Sequence, residues 1–386
     1  MKSDSRRLPP VILIGGLANA LSVARSLGRR GVRVFALNDH YAPVRFSRYV
    51  QYLRPAWLGS EKATWTSYLV GTESDALRGA VLLSASDVGI EIIAHNRERL
   101  ARKFRLDDSN PEAQLAMLDK LRTYEIARAA DVPTPRFWKV ETLQDVLRLE
   151  QELVFPLLVK PQLSHVFNER FGKKYFAAQN FAELVGAYRT ASDAGVAAML
   201  TQMVPGPDDR LCSYYTYMDE NGQPMFHFTK RIIRRFPVNM GDASYHVTDW
   251  NPEVRDLSLR LFQAAGLRGL ANAEFKRDDR DGRLKLIECN ARFTASDCLV
   301  AASGIDLAAF VYNRLVGLPL PAMDSYRTGL RLWNPGRDWK AFRELRAKKQ
   351  LTLAGWMRSI KPPLVFPFFR WTDPTPTAMD ALRSIG

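Results

Sequence analysis

The sequence contains few cysteines and no long apolar run. The three cysteines, Cys212, Cys289 and Cys298, lack the spacing of metal ligands, so a structural zinc site is not expected. No stretch of about 18 apolar residues occurs, which argues against a membrane-spanning helix. The apolar segment after the N-terminal MKSDSRRLPP is too short for a secretory signal and is typical of a strand. These absences favour a reduced, cytoplasmic setting.

The glycine fingerprint of the dinucleotide oxidoreductases is also missing. Residues 11–14 predict a buried strand, residues 18–29 a helix and residues 32–37 a second strand, which is the βαβ opening of a parallel sheet. Gly15 and Gly16 between the first strand and the helix do not follow the pattern G-x-G-x-x-G, which excludes that class of enzyme. The two glycines either only permit a tight turn or contact a ligand directly.

Small polar residues follow the predicted strands of this first part of the chain. Asp39 comes after the second strand, and Ser84, Ser86 and Asp87 come at the end of a further strand that begins at residue 81. Ligands of open α/β sheets bind outside the carboxyl ends of the strands. The sequence therefore predicts a small-molecule pocket at this edge.

The chain is strongly basic, with a formal net charge of +14. Such a charge favours polyanionic partners, which include nucleotides, nucleic acid and anionic lipid. Neither a zinc finger nor an aromatic RNA-binding strand is present, so we expect no nucleic-acid partner.

Most of the excess charge lies near the C-terminus. Residues 327–371 contain eleven basic and two acidic residues, a net charge of +9, and aromatic residues are interleaved with them. This mixture suits contact with an anionic membrane surface or an anionic substrate. The apolar run at 362–369 equally suits packing against the protein's own body, and the sequence leaves both interpretations open.

Two alternating segments within residues 269–294 predict a β-hairpin. Glu288, Asn290 and Arg292 occupy every second position of its second strand and therefore share one face. A three-residue loop, 280–282, with Gly282 in the left-handed conformation would place Glu274 opposite Glu288. Two carboxylates on one face repel unless a cation lies between them, and Mg²⁺ with phosphate is the usual case. The alternative is a surface hairpin with scattered charge.

Glu274 followed by Glu288-x-Asn290-x-Arg292 resembles the metal and phosphate signature of the ATP-grasp enzymes. The run NAEFKRDDRDGRLKLIECNARF is similar to members that act as carboxylate–amine ligases, including the D-aspartate ligase-like group. The resemblance implies that ATP is the cofactor and that Glu274, Glu288 and Asn290 hold Mg²⁺, with Mn²⁺ as the alternative ion. It also implies that Arg292 is catalytic and stabilises charge on the transferred phosphoryl group.

The resemblance extends upstream of the hairpin. It implies that two lysines contact the nucleotide phosphates: Lys120, within a helix predicted over 112–130, and Lys160, at the end of an apolar strand. A mobile loop over the phosphates is expected at 162–174. The adenine hinge and the ribose contact are expected at four residues: Gln202, Met203, Val204 and Asp209, with Asp208 as the alternative for the ribose.

Basic residues on a later strand complete the set. Arg231 and Arg234 match by position the arginines that precede a Phe-Pro step in the ligase-like group. The resemblance implies that both are catalytic and contact the γ-phosphate or the carboxylate of the substrate.

Together these features predict an α/β protein with a Rossmann-like parallel-sheet domain (1–110), an ATP-grasp small lobe (111–205), a large lobe with the metal site (206–325) and a basic aromatic extension (326–386). The expected function is an ATP-dependent ligase that joins a small carboxylate to a small amine through an acyl phosphate. The rivals are an ATP-grasp phosphotransferase and a non-catalytic nucleotide-binding protein that docks on membrane through its tail. We expect a cytoplasmic protein, with peripheral contact to the inner membrane face as an option. Its oligomeric state is left open, with a dimer as one option.

Overall fold

The computed structural model describes residues 8–383, which divide into two compact units. The first unit contains the residues up to 112, residues 292–334 and the residues from 361 onward. The second unit contains residues 113–291 and 335–360. The chain therefore leaves the first unit and returns to it twice. As a result, residues 335–360 of the basic tail belong to the second unit, and the tail residues on either side of them belong to the first.

A parallel four-stranded sheet lies at the core of the first unit. Its strands are β1 (Val11–Ile14), β2 (Val34–Leu37), β3 (Val50–Tyr52) and β4 (Val81–Ser84). Their spatial order is β3-β2-β1-β4, and all neighbours run parallel. The central strand β1 is fully buried, as expected for a parallel strand covered on both faces. The helices of this stretch are α1 (Ala18–Arg29), α2 (Glu61–Val70), α3 (Asp87–His95) and α4 (Arg97–Ala101). The predicted βαβ opening is confirmed.

A small antiparallel sheet follows in the second unit. The helices in this stretch are α5 (Pro111–Leu118), α6 (Lys120–Ala129), α7 (Leu143–Arg148), α8 (Ser164–Phe171) and α9 (Phe181–Asp193). The strands are β5 (Phe137–Lys139), β6 (Leu157–Pro161), β7 (Phe176–Ala178) and β8 (Ala198–Gln202). The sheet has the order β5-β8-β6-β7, and every neighbouring pair is antiparallel.

Two predictions for this stretch are corrected. The helix predicted over 112–130 is interrupted at Asp119, whose carboxylate accepts hydrogen bonds from the backbone N–H groups of Leu121 (2.9 Å) and Arg122 (3.1 Å) and so caps α6. Lys120 is therefore the first residue of a helix and does not lie inside one. The loop predicted at 162–174 contains α8, which ends at Gly172 with a φ of 61°.

The second unit also contains a larger antiparallel sheet. Its elements in chain order are β9 (Leu211–Met218), β10 (Phe228–Phe236), β11 (Asp242–Asp249), α10 (Pro252–Ala264), β12 (Gly269–Arg277) and β13 (Leu284–Asn290). The strand order is β13-β12-β9-β10-β11. Tyr214, Ala273 and Phe275 belong to a core cluster that also contains apolar residues of α6 and α10. Burial of this face leaves the other face for polar side chains.

The remaining elements are distributed over both units. In chain order they are α11 (Asp297–Ser303), α12 (Leu307–Val316), β14 (Arg331–Trp333), α13 (Pro335–Ala347), α14 (Leu353–Ser359), β15 (Leu364–Val365) and α15 (Thr375–Arg383). Within the first unit, β14 and β15 pair in parallel.

Two buried carboxylates attach the basic tail to the body of the protein. In the second unit, Asp338 of α13 is fully buried and accepts hydrogen bonds from Nε and Nη2 of Arg234, both at 2.8 Å. In the first unit, Asp373 accepts from Arg25 Nε and Ser47 Oγ, again at 2.8 Å each. The tail therefore packs on the protein's own body, one of the two interpretations that the sequence left open.

No single helix in residues 8–383 is long and apolar enough to cross a membrane. The pair α11 and α12, bent by 88°, meets the criteria of length and composition together.

Candidate active site

A row of polar side chains crosses the larger sheet of the second unit. Glu288 on β13 lies opposite Glu274 on β12, and Glu274 lies opposite Ser213 on β9. Ser213 in turn lies opposite Lys230 on β10. Directly opposed residues of neighbouring strands point to the same face, so these four side chains form one row on the face away from the apolar core. The predicted pairing of Glu274 with Glu288 is confirmed.

A β-bulge at Ile287 sets this pairing. Nearer the turn, Phe275 pairs with Leu286, and the register shifts by one residue between that pair and the pair Glu274–Glu288. The predicted three-residue loop is wrong, because the Asp278 N–H donates to the Arg283 carbonyl (2.9 Å) and leaves residues 279–282 as the turn. Gly282 does adopt the left-handed conformation that was expected, with a φ of 69°. The bulge restores the register that the loop length was expected to produce.

The bulge also supplies a carbonyl to the buried Lys160. The Ile287 carbonyl accepts hydrogen bonds from Lys160 Nζ (2.6 Å) and from the Tyr124 hydroxyl (3.1 Å). Lys160 Nζ lies 3.1 Å from the Tyr124 oxygen. Burial lowers the pKa of Lys160 to about 8, although the charge of Glu288 opposes the shift. The structure thus holds a lysine of depressed pKa beside one end of the carboxylate row.

Glu274 and Lys230 perturb each other within the row. Burial raises the pKa of Glu274, the charge of Lys230 opposes this, and Glu288 raises it further. Burial lowers the pKa of Lys230, and Glu274 is the main group that opposes the shift. The pKa of Lys174 is raised, because Asp242, Glu288 and Glu274 together outweigh the effect of burial. The two carboxylates therefore lie among several cations.

Sequence reasoning missed Lys230. A lysine between Thr229 and Arg231 has no distinctive local pattern, and its alignment with the carboxylates runs through Ser213 of an intervening strand. Only the pairing of four strands brings it to the row. The informative signal appears only in the structure: Lys230 is 4% exposed, and a lysine is rarely buried without a charged neighbour.

Asn290 lies two residues beyond Glu288 on the same face of β13, opposite Asn272. The Asn290 amide donates to Asn272 Oδ1 at 3.4 Å, and the buried Asn272 amide donates to the Tyr214 carbonyl at 2.9 Å. Asn272 therefore orients the amide of Asn290. Two carboxylates and this amide are the oxygen ligands that the site offers, and no group of three His, Cys, Asp or Glu side chains suited to a metal occurs among the described residues.

The predicted hinge is held by backbone contacts. The Gln202 N–H donates to the Arg136 carbonyl (2.9 Å), and the Met203 N–H donates to the Pro156 carbonyl (3.3 Å). Lys276 Nζ donates to the carbonyls of Val204 (3.1 Å) and Gly206 (2.6 Å). Burial lowers the pKa of Lys276 to about 8. The hinge backbone is thus fixed by a lysine that follows Glu274 by two residues on the same strand.

The two aspartates after the hinge have different environments. Asp208 is buried, and its carboxylate accepts hydrogen bonds from Arg235 Nε at 2.8 Å and from the Asn239 N–H at 3.2 Å. Asp209, the predicted ribose contact, is exposed.

The structure does not bring Arg231 and Arg234 to the carboxylate row. Arg231 follows Lys230 on β10 and therefore points to the other face, where its half-exposed side chain lies 3.7 Å from Asp249. Arg234 is buried in the ion pair with Asp338 and lies beyond a register shift in β10. Alternation along the strand separates Arg231 from the row, and a carboxylate of the tail engages Arg234.

Lys120 lies near the end of the strand that carries Lys160. Its backbone N–H donates to the Gln162 carbonyl at 3.0 Å, and its ammonium group contacts the Ser164 hydroxyl. Lys120 is 8% exposed, and Lys160 is 7% exposed. Both predicted phosphate-binding lysines are therefore buried cations held by the small sheet and the helices around it.

Arg292 belongs to the first unit. Its Nε lies 2.5 Å from Oδ1 of Asp87, the first residue of α3 at the carboxyl end of β4. The Asn19 amide donates to the carbonyls of Phe293 (2.8 Å) and Ala85 (2.7 Å), which holds the segment after Arg292 at the same sheet edge. This edge is the one at which the sequence predicted a small-molecule pocket.

Comparisons with known proteins agree with this architecture. No protein-family model matches the chain. A D-aspartate ligase of Enterococcus faecium is 27% identical over 319 residues, which cover 78% of this chain and 75% of the relative. The chain is thus similar in sequence to a ligase of the group that the hairpin signature resembles.

Solved ATP-grasp structures share the fold at lower identity. An L-amino acid ligase from Bacillus licheniformis is 17% identical, with a TM-score of 0.61 over 81% of this chain and 75% of that one. The biotin carboxylase domain of the 2-oxoglutarate carboxylase from Hydrogenobacter thermophilus, solved with MgADP, is 16% identical, with a TM-score of 0.64 over 83% and 73%. The predicted fold class is confirmed, with a parallel sheet in one unit and two antiparallel sheets in the other.

Proposed function

We propose that the chain is an ATP-dependent ligase that joins a carboxylate to an amine, with ADP and phosphate as products. The observation that carries this proposal is the row Glu288–Glu274–Ser213–Lys230, flanked by Lys160 at the bulge. The ligase names of the sequence relative and of the L-amino acid ligase with this fold support the same reaction class.

The reaction needs charge neutralisation more than covalent chemistry. A carboxylate is a poor electrophile, so the γ-phosphoryl group of ATP is transferred to it, and an amine then displaces phosphate from the acyl phosphate. The described residues supply cations around the carboxylates: Lys160, Lys230 and Lys174. These are the groups that stabilise negative charge on phosphoryl oxygens.

Glu274, Glu288 and Asn290 fit a divalent cation. All three offer hard oxygen ligands from one face of a hairpin. Burial and the charge of Glu288 raise the pKa of Glu274, and a bound cation would relieve the repulsion between the two carboxylates. Mg²⁺ bound there would supply Lewis-acid stabilisation of phosphoryl charge. The three residues provide only part of an octahedral shell, and phosphate oxygens and water would complete it.

The cation roles are reassigned from the sequence expectation. In the proposed site Lys230 takes the place of Arg231 and Arg234, because it shares the face of the carboxylates. Lys120, the hinge residues Gln202 to Val204, and Asp209 remain proposed nucleotide contacts. Arg292 remains the proposed group that stabilises charge on the transferred phosphoryl, oriented by Asp87.

The substrate class follows from chemistry and from the relative. We propose small molecules for both substrates, with an amino acid as one of them, since the relative is named a D-aspartate ligase. The cytoplasmic location, the dimer and the membrane contact of the tail stay predictions from the sequence.

The test is ADP release from ATP and Mg²⁺ with pairs of carboxylates and amines. We expect turnover only when both are present, and hydroxylamine in place of the amine should yield a hydroxamate. Glu288→Gln should abolish turnover, whereas the exposed Glu98→Gln serves as a control of equal charge change and should be fully active. ADP formed from an acceptor alone, with no need for an amine, would instead identify a phosphotransferase. Full activity of Glu288→Gln would refute the metal assignment.

A further inference from the structure

A basic cleft of about 300 Å³ lies in the first unit, apart from the site described above. Its charged and hydroxyl-bearing lining residues are Thr72, Asp75, Arg78, Arg99, Arg102 and Lys103. They come from the segment after α2 and from the end of α4 with the residues that follow it. Four cations therefore surround one carboxylate.

The single carboxylate is already engaged. Lys103, which is buried, donates from Nζ to the Gly71 carbonyl, to Ser74 Oγ and to Asp75, each at 2.7 Å. This hydrogen bond lowers the pKa of Asp75. Arg78 lies 3.4 Å from the same carboxylate. The ammonium group of Lys103 thus already has three acceptors, and the buried lysine forms a fixed part of the cleft wall.

Arg99 and Arg102 differ from Lys103 because they are exposed and, within residues 8–383, neither guanidinium has an acidic partner. They are three residues apart at the end of a short helix, a spacing at which like charges repel. Arg78 lies close to this pair, since its Nη1 donates to the Arg102 carbonyl at 3.2 Å. An anion in the cleft would relieve the repulsion.

The cleft lies at the amino end of β4, which begins at Val81, three residues after Arg78. Asp87 and the predicted small-molecule pocket lie beyond the other end of that strand. Strand β4 separates the two places by its four residues, about 13 Å at the usual rise. A ligand of the cleft is therefore not a ligand of that pocket.

We propose that the basic cleft binds a small molecule that carries a diphosphate or two phosphate groups. Guanidinium forks match phosphate oxygens in geometry, and three arginines around one cleft provide several such pairs. The volume is at the lower end of the range for small-molecule sites, which favours a compact ligand over a nucleic acid. The proposal is independent of the ligase reaction.

Calorimetric titration with pyrophosphate at about 0.15 M NaCl tests the proposal. MgADP is present at saturation, so that the nucleotide site does not take up the probe. Mg²⁺ is kept in excess of both ADP and pyrophosphate, and the heat of the same titration without protein is subtracted, because pyrophosphate also binds Mg²⁺. We expect the wild type to bind with a Kd below about 1 mM. The double variant Arg99→Gln/Arg102→Gln should weaken binding at least about tenfold. The matched control is Arg343→Gln/Arg346→Gln, an exposed pair with the same spacing and charge change on α13, and it should bind like the wild type.

Three outcomes would overturn the proposal. These are no binding by the wild type, equal binding by the cleft variant and the wild type, and an equal loss in the cleft and control variants, which would indicate a general effect of net charge. Succinate binding as tightly as pyrophosphate would contradict the phosphate class. Thermal unfolding of each variant verifies that it is folded, and the single variant Arg102→Gln, expected to show an intermediate loss, replaces the double variant if that one does not fold.

Discussion

Replacement of Asp338 by alanine should destabilise the second unit strongly. The Asp338 carboxylate is fully buried and accepts four hydrogen bonds: two from Arg234 at 2.8 Å, one from Trp356 Nε1 at 2.8 Å and one from Ser244 Oγ at 2.9 Å. Asp338→Ala removes all four and leaves the guanidinium of Arg234 buried at 7% side-chain exposure without its counter-ion.

The size of the effect follows from this geometry. Removing one partner of a buried ion pair typically costs about 3–5 kcal/mol, because the remaining charge is left uncompensated in the interior. A unit of this size loses roughly 2–4 °C in unfolding midpoint per kcal/mol. We therefore expect the midpoint for Asp338→Ala to fall by roughly 10 °C.

Thermal unfolding followed by circular dichroism or calorimetry measures this shift. Asp324→Ala is the matched control, since it removes an exposed carboxylate from the chain, and its midpoint should stay within about 1 °C of the wild type. A midpoint for Asp338→Ala within about 2 °C of the wild type would refute the reasoning, because it would mean that the tail does not support the body of the protein.

A double variant separates a structural role of Arg234 from a catalytic one. Arg234→Gln/Asp338→Asn keeps hydrogen-bonding groups at both positions and removes both charges together, so it should be more stable than Asp338→Ala. If Arg234 is structural, the double variant should also retain ADP release near the wild-type rate. Loss of turnover in a stable double variant would restore the catalytic role that the sequence predicted.

Three further predictions concern the site. Because the pKa of Lys160 is lowered to about 8, nucleotide affinity should fall as the pH rises through 8, and MgADP binding at pH 8–9 should be accompanied by proton uptake. Calorimetric titration in buffers of different ionisation enthalpy measures this uptake. Lys160→Arg should abolish it, and unchanged uptake in that variant would exclude Lys160 as its source. Lys230→Met should lower kcat by about tenfold or more with little change in MgADP affinity, whereas Arg231→Met, on the other face, should retain activity; the reverse order would contradict the assignment. Asp87→Asn should lower kcat by roughly tenfold without affecting MgADP affinity, and a normal kcat would show that Arg292 needs no orienting partner.

Local patterns predicted local structure well in this chain. The alternation within 269–294 located the hairpin and both carboxylates, and the run at 11–37 located the central strand of the parallel sheet. The position of Lys160 at the end of an apolar strand was predicted as well, whereas its acceptor, the Ile287 carbonyl, lies 127 residues later in the chain, and its phosphate contact stays a prediction. In each case the signal lay within the segment that forms the element.

Features that depend on distant segments could not be predicted. Lys230 reaches the carboxylates only through the pairing of four strands, and Arg234 finds its partner 104 residues later in the chain. The helix break at Asp119 was hidden by continuous helical periodicity on both sides of the cap. The bulge at Ile287 has no local signature, since an isoleucine fits a regular strand equally well.

That bulge has a consequence for how the gene can change. The carbonyl that holds Lys160 and Tyr124 belongs to the backbone of residue 287, so most side chains at this position would preserve the contact. Deletion of residue 287 would have the opposite effect. A regular strand would still place Glu288 opposite Glu274, but the buried Lys160 and Tyr124 would lose the carbonyl that accepts their hydrogen bonds. Residue 287 is therefore needed for its backbone and not for its side chain, so point substitutions should accumulate at this position while its deletion is eliminated.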